Sequence, residues 1–306
     1  MKNFLRKPGF GFAMAALAAL AMMEACKKDN SASTAPIPAN QQKVSLYLSD
    51  DPGFFDQVLL DIRKVEVLVD TCGGTDDEGW SDRDRCWWDE DRDHNDHDRG
   101  SKPDTCQVWD SLGVNPGVYD LLTLRNGSDT LLANGTVLKG TMERIRITIG
   151  DQNSLVKDGV TYPLKSIAGQ SKIIVRVRHN EWDALSEDNL QLWLDFDVQR
   201  SIIKAWNGKF ILKPYINVFT ILKMGSISGR VSPSEAFPVI SIYNNSNDTM
   251  YALPWRSGEY KVRGLKVGDA WNVFVNASNG YQDTTITNVK VERGKDTNVG
   301  NIKLHK

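Results

Sequence analysis

Lys43-Val44-Ser45-Leu46-Tyr47-Leu48-Ser49-Asp50 carries an aliphatic residue at every second position, so Val44, Leu46 and Leu48 fall on one face of an extended strand. The period is two, not 3.6. Val65, Val67 and Val69 repeat it, as do Ile145, Ile147 and Ile149, and then Val175 and Val177. Turn signals stand between such runs at Asp51-Pro52-Gly53, Asn126-Gly127, Asn134-Gly135, Asp158-Gly159 and Asn207-Gly208. They are too closely spaced for crossover helices and suit antiparallel sheets. Only Leu185 to Gln191 suggests a helical turn. The expectation is an all-β fold built as a β-sandwich.

Working outward, the pattern restarts near Met224, where Gly225-Ser226-Ile227-Ser228-Gly229-Arg230-Val231 opens a second set of short strands that ends at Ile302-Lys303-Leu304. About 80 residues suit one small Greek-key sandwich. Two antiparallel β-sandwich domains are therefore expected, over 43–223 and 224–306, with the boundary within Leu222 to Gly225. The 306 residues hold 37 Lys and Arg against 39 Asp and Glu, with 41% hydrophobic and 25% charged residues. That balance excludes bulk disorder, collagen and a basic nucleic-acid binder.

Lys2, Arg6 and Lys7 precede a charge-free apolar run from Gly9 to Met23, which is shorter than the roughly 20 residues that span a bilayer and reads as a signal peptide over 1–25. Met23-Glu24-Ala25-Cys26 resembles a bacterial lipoprotein cleavage box. Cys26 would be the lipidated first residue, and 26–42, with Pro36 and Pro38 among small polar residues, a flexible tether. Ordinary signal cleavage is the competing reading. Removing Lys2, Arg6, Lys7 and Glu24 leaves a mature chain near −4 against −2 for the whole, so net charge should not hold it to anionic lipid. The expected location is the cell envelope, as an outer-membrane lipoprotein facing the periplasm or the cell surface.

Val44 to Asp51, Val65-Glu66-Val67, Trp109-Asp110-Ser111-Leu112, Tyr119 to Gly127, Arg144-Ile145-Arg146, Leu194-Asp195-Phe196-Asp197 and Leu212-Lys213-Pro214 occur in that order. Over about 43–222 they resemble the bacterial lipoprotein family known as domain of unknown function 4382, which implies no activity and no functional residues. Where that family has a short link after the Val-Glu-Val strand, this chain inserts Thr71 to Cys106. Gly258-Glu259-Tyr260-Lys261-Val262-Arg263-Gly264-Leu265 with Gly268 and Trp271-Asn272-Val273 resembles the carboxypeptidase-regulatory, transthyretin-like sandwiches. That resemblance implies a non-catalytic appendage of a secreted protein, in some cases of a carbohydrate-active one.

The insertion 71–106 holds twelve acids against five bases, three of the four Cys, His94, His97, Trp80, Trp87 and Trp88. It is expected to stand apart from the fold as a charged add-on. Asp89, Asp91, Asp93, Asp96 and Asp98 offer the hard oxygens that calcium takes, although His94 occupies the place an EF-hand gives to Gly. Ca²⁺ is thus the candidate cofactor, set against a solvated charged loop. Zinc on Cys86, His94, His97 and Cys106 lacks a Cys-x-x-Cys pair. A disulfide between Cys72 and Cys106 would pinch the insertion at its base, and the other two pairings stay open.

Enzyme signatures are nearly absent. Gly225 to Gly229 has the glycines of a nucleophile elbow but Ile227 at its centre. Asp195 and Asp197 alternate on one strand and so share a face, with Leu194, Phe196 and Val198 on the other, core side. They are read as structural in preference to an acid and base pair. Trp182, Trp206 and Trp255, with the insertion tryptophans, sit in loop-like contexts where a ring could stack on a sugar, whereas Trp193 and Trp271 lie in strands. The expectation is a non-enzymatic, membrane-tethered binding or adhesion module whose partner is a surface protein or glycan. The rival is an accessory carbohydrate-binding or hydrolytic component of a glycan-utilisation system.

Overall fold

The computed structural model describes residues 37–51, 53–72, 86–88, 106–177, 184–186 and 189–306, and residues 37–306 form one compact unit. The signal peptide, Cys26 and the acidic run with Asp89, Asp91, Asp93, Asp96 and Asp98 lie outside the described residues. So do His94, His97 and Trp182.

The fold is nearly all β. Strands β1 (Gln41–Asp51), β2 (Gln57–Asp70), β3 (Cys86–Trp88), β4 (Gln107–Val114) and β5 (Gly117–Asp120) come first. They are followed by β6 (Thr130–Leu138), β7 (Thr141–Ile149), β8 (Ser154–Lys157), β9 (Val160–Ser166) and β10 (Lys172–Arg176). Then come β11 (Ala184–Ser186), β12 (Asn189–Asp197), β13 (Ile202–Lys204), β14 (Phe210–Leu212) and β15 (Ile216–Phe219), with one short helix, α1 (Val198–Ser201), between β12 and β13.

These strands form one continuous path, β11-β12-β1-β6-β4-β2-β8-β9-β14-β13, with β15 on β12, β5 and β7 on β2, and β10 on β7. It folds over on a single core. The alternating aliphatics carry that core: Val44, Leu46 and Leu48 pack in one cluster with Val65, Val67, Ile145, Ile147, Leu192, Leu194 and Phe196. Asp158-Gly159 makes the β8–β9 hairpin with both residues at positive φ, the conformation of a type I′ turn.

Four sequence expectations are corrected. Asn134-Gly135 is not a turn but lies inside β6, opposite Ser45 and Val44. Its glycine serves packing, since a Cβ at Gly135 would meet Leu112 Cδ2 at 3.1 Å. Among the described residues of 185–191 there is no helical turn, because Ala184–Ser186 and Asn189–Asp197 are strands, the latter paired along β1. The sheets are not antiparallel throughout. β1 with β12 and β9 with β14 are parallel, as are Gly225–Ser232 and Asp296–Lys303 in the second sandwich, in each case between strands far apart in the chain. Finally, the insertion does not stand wholly apart, for β3 pairs Cys86, Trp87 and Trp88 with Val175, Ile174 and Ile173 of β10.

After Met224 the strands β16 (Gly225–Ser232), β17 (Val239–Asn244), β18 (Thr249–Ala252), β19 (Glu259–Leu265), β20 (Ala270–Asn276), β21 (Thr284–Lys290) and β22 (Asp296–Lys303) make two sheets, β19-β16-β22 and β18-β17-β20-β21. Their facing residues, among them Ile227, Ile240, Tyr260, Val273 and Ile302, close a second core around Trp271. The indole N–H of Trp271 donates to the Lys266 carbonyl at 3.0 Å, so its one polar atom is satisfied. Among the described residues no helix is long and apolar enough to cross a membrane.

Candidate functional site

Asp195 and Asp197 do share one face of β12, and Leu194 and Phe196 lie in the core on the other, followed into the same core by Val198 of α1. The acid-bearing face is itself covered. Asp195 is only 5% exposed, in register between Ser49 of β1 and Asn217 of β15. The Ser49 hydroxyl donates to Asp195 Oδ1 at 3.2 Å. Burial, reinforced by the negative charge of Asp197, raises the Asp195 pKa to about 7, while Ser49 and Asn217 pull it down. Asp197 caps α1: its Oδ1 accepts the Arg200 N–H at 2.8 Å, and its Oδ2 lies 3.3 Å from the Arg200 guanidinium. Burial raises its pKa as well, opposed mainly by those Arg200 contacts. One acid thus starts a helix and the other closes a sheet seam, with no His or Cys beside them among the described residues.

What covers Asp195 is the seam between the two cores. A cavity of about 20 Å³ there is lined by Ser49, Asp195, Asn126 and Phe219 from the first sandwich and by Lys261 and Arg263 from the second, which is room for one water. Asn126 donates to the Leu253 carbonyl at 2.9 Å, and the Arg125 guanidinium stacks 4.4 Å over the Trp255 ring. Gly264, at φ +74, lets β19 come down on Phe219, whose ring a Cβ there would meet at 3.3 Å. Beneath it Trp193 stacks on Tyr47 with centroids 4.7 Å apart.

At the base of the insertion Cys72 and Cys106 are joined by a disulfide, with Cα atoms 5.4 Å apart. Asp70 lies beside them, and these three make the one group with metal-ligand atoms close together among the described residues. Both sulfurs are already spent in the disulfide, so the group offers a cation a single carboxylate.

The tryptophans separate sharply. Trp193 and Trp271 are buried, and Trp255 lies under Arg125 but is still 37% exposed. Trp206 is 99% exposed. It stands at the tip of the β13–β14 hairpin, where Gly208 at φ +78 donates its N–H to the Ala205 carbonyl at 2.9 Å. Sequence placed Trp206 in a loop but could not distinguish it from Trp255, because Arg125 reaches Trp255 from the other sandwich. Phe54, 58% exposed, lies just before β2, its backbone N–H directed at the side chain of Gln199 in α1. Sequence reasoning did not single out Phe54.

Residues 41–214 match the family described as Domain of unknown function (DUF4382). The chain belongs to that family. In this DUF4382 protein the matched region ends within the first sandwich, just before β15, and the family motifs Val44 to Asp51 and Leu194 to Asp197 are the two parallel strands that frame the acid seam. No curated protein matches the chain.

Among solved structures, the minor pilin GBS52 of Streptococcus agalactiae is 12% identical, covers 86% of this chain and 96% of its own, and gives a TM-score of 0.21. The shaft pilin SpaA of Lactobacillus rhamnosus GG is 10% identical over 86% of this chain and 97% of its own, at a TM-score of 0.20. The Bacillus anthracis TIE protein is 10% identical over 87% of this chain, which spans 35% of its length, at 0.22. At such TM-scores the likeness carries no argument about the role of this chain.

Proposed function

We propose that this DUF4382 protein is a non-catalytic binding or adhesion module of the cell envelope, held at the outer membrane by lipid on Cys26 and ending in a transthyretin-like sandwich. The observation that carries the binding role is Trp206. One exposed ring alone is ordinary, but Trp206, with almost its whole surface in water, stands near the exposed Val160 and Ile203, and such a grouping of exposed apolar side chains marks an interaction site. The acid seam, by contrast, reads as structural. Asp197 is taken up as a helix cap, and Asp195 sits beneath the second sandwich, where a substrate would have to part the two cores. The insertion, through Asp89, Asp91, Asp93, Asp96 and Asp98, is a second candidate locus, for calcium.

The test is a photo-crosslinking residue placed at position 206 in cells that display the full-length protein, compared with the same residue at Lys290, exposed on β21. An envelope component captured from position 206 and not from 290 is the expected result. Identical capture from both positions, or none, overturns the reading. A glycan-utilisation role is the second reading, favoured by the free ring face of Trp206. Depletion of the purified protein on insoluble glycans, with Trp206→Ala as the control, separates the two.

A further inference from the structure

The end of the first sandwich that carries Trp206 also gathers other apolar side chains that the core does not use. β14 runs parallel to β9 with Phe210 opposite Leu164, so the β8–β9 turn and the β13–β14 hairpin project from the same end. Val160, at that turn, and Ile203, on β13, are both exposed. Phe55, just before β2, backs this end by packing edge-on to Phe210 with centroids 6.2 Å apart.

Lysines stand around this tip. Lys157 lies 6.0 Å from the Phe55 ring centroid and Lys204 lies 6.0 Å from that of Phe210, while Lys209 closes the hairpin opposite Ala205. Two acids share the end: Asp158 in the turn, and Asp56, whose carboxylate accepts the Gly159 N–H at 3.0 Å. The local balance is therefore basic, although the whole chain carries −2. Beyond roughly 10 Å the distant charge is screened, and the local sign is what a contacting surface meets.

We infer that this end is a membrane-contact surface, with Trp206 inserting among the headgroups of an anionic bilayer and Lys157, Lys204 and Lys209 resting on the phosphates. The inference rests on the reading of this end as the binding surface and names its partner. A protruding indole flanked by aliphatic side chains and lysines matches the bilayer interface, where rings settle at headgroup depth and ammonium groups meet anionic lipid. A sugar site would need amides and hydroxyls converging in a concavity; the cavity that offers them, about 440 Å³ and lined by Gln152, Asn153, Ser154 and Thr161, does not include Trp206 in its lining. Reach agrees with contact to the membrane that holds Cys26. β1, 11 residues long, carries the chain about 36 Å from the tether toward this end, and the stretch from Cys26 to Asn40 can extend about 50 Å.

The experiment uses the chain from Cys26 onward with Cys26→Ala, so that no acyl group contributes, in co-sedimentation with vesicles of one part phosphatidylglycerol to two parts phosphatidylcholine. The parent should partition, Trp206→Ala should lower the partition constant by about tenfold or more, and Trp206→Phe should restore most of it. Joint substitution Lys204→Ala and Lys209→Ala should abolish the preference over pure phosphatidylcholine. Phe237→Ala, an exposed aromatic on the second sandwich, should change nothing. Failure of the parent to partition, or equal partition by parent and Trp206→Ala, overturns the inference. Depletion on an acidic polysaccharide that depends on Trp206, without vesicle binding, also overturns it and leaves the surface itself standing as a binding site.

Discussion

Arg263 of β19 reaches across the seam to the carboxylate of Asp129, which also accepts the indole N–H of Trp193 at 2.9 Å. One carboxylate thus holds a cation of the second sandwich and a buried ring of the first. Both ion-pair side chains are about a quarter exposed, so solvent screens the pair only in part. Asp129→Ala should cost about 1–3 kcal/mol, more than Arg263→Ala, because it also strands the Trp193 N–H. Urea unfolding of both single variants and the double variant measures the coupling. Strictly additive losses would show that the pair does not couple the sandwiches.

Stability should respond to pH through Asp195. Its pKa is raised from 3.8 to about 7, so the folded state binds the extra proton and stability falls as pH rises from about 4 through 7. Asp197, also raised, acts in the same sense, whereas Glu66 and Asp296, both lowered, act oppositely and lose their contribution as pH falls through their folded values. The difference between parent and Asp195→Asn isolates the one group. The variant should gain on the parent above pH 7, by an amount of the order of a few kcal/mol, and the gap should close toward pH 4. A gap independent of pH contradicts the assignment.

The Cys72–Cys106 bond closes a loop with a sequence separation of 34, so replacing both by Ser should lower stability by up to about 4 kcal/mol in the chain-entropy account. Replacing 73–105 by a short Gly-Ser turn removes β3 from the β10 edge, and a drop of a few degrees in melting temperature is expected. If the acids there hold calcium, the ion raises the melting temperature of the intact protein and leaves the shortened one unmoved. Equal calcium shifts in both would move the ion elsewhere.

Expressed alone, 224–306 should melt cooperatively with a β-type circular dichroism spectrum, since its core is built from its own residues. The partner piece 43–223 should also fold, at reduced stability, because Phe219 and Trp193 lose their cover. A C-terminal piece that stays unfolded refutes the boundary.

The parts of the fold readable in sequence are those set by local period. Val44 to Leu48 and Ile145 to Ile149 are strands, the second half-buried as its alternation says and the first buried on both faces, Asp158-Gly159 is a hairpin, and the parity of Asp195 and Asp197 follows from alternation. What escaped was set by distant partners. Gly135 looks like a turn residue until Leu112 is seen packed on it, and no local signal could pair β1 with β12 in parallel. The face of Asp195 reads as solvent-facing until the second sandwich is laid over it. Trp206 differs from Trp255 only in what another element brings near.

The most direct test of the account is metabolic labelling of living cells with an alkyne fatty acid, read on the native protein and on Cys26→Ala. The account predicts label on the native protein in the outer-membrane fraction, and an unlabelled Cys26→Ala protein in the soluble envelope fraction. A native protein that carries no lipid would contradict it.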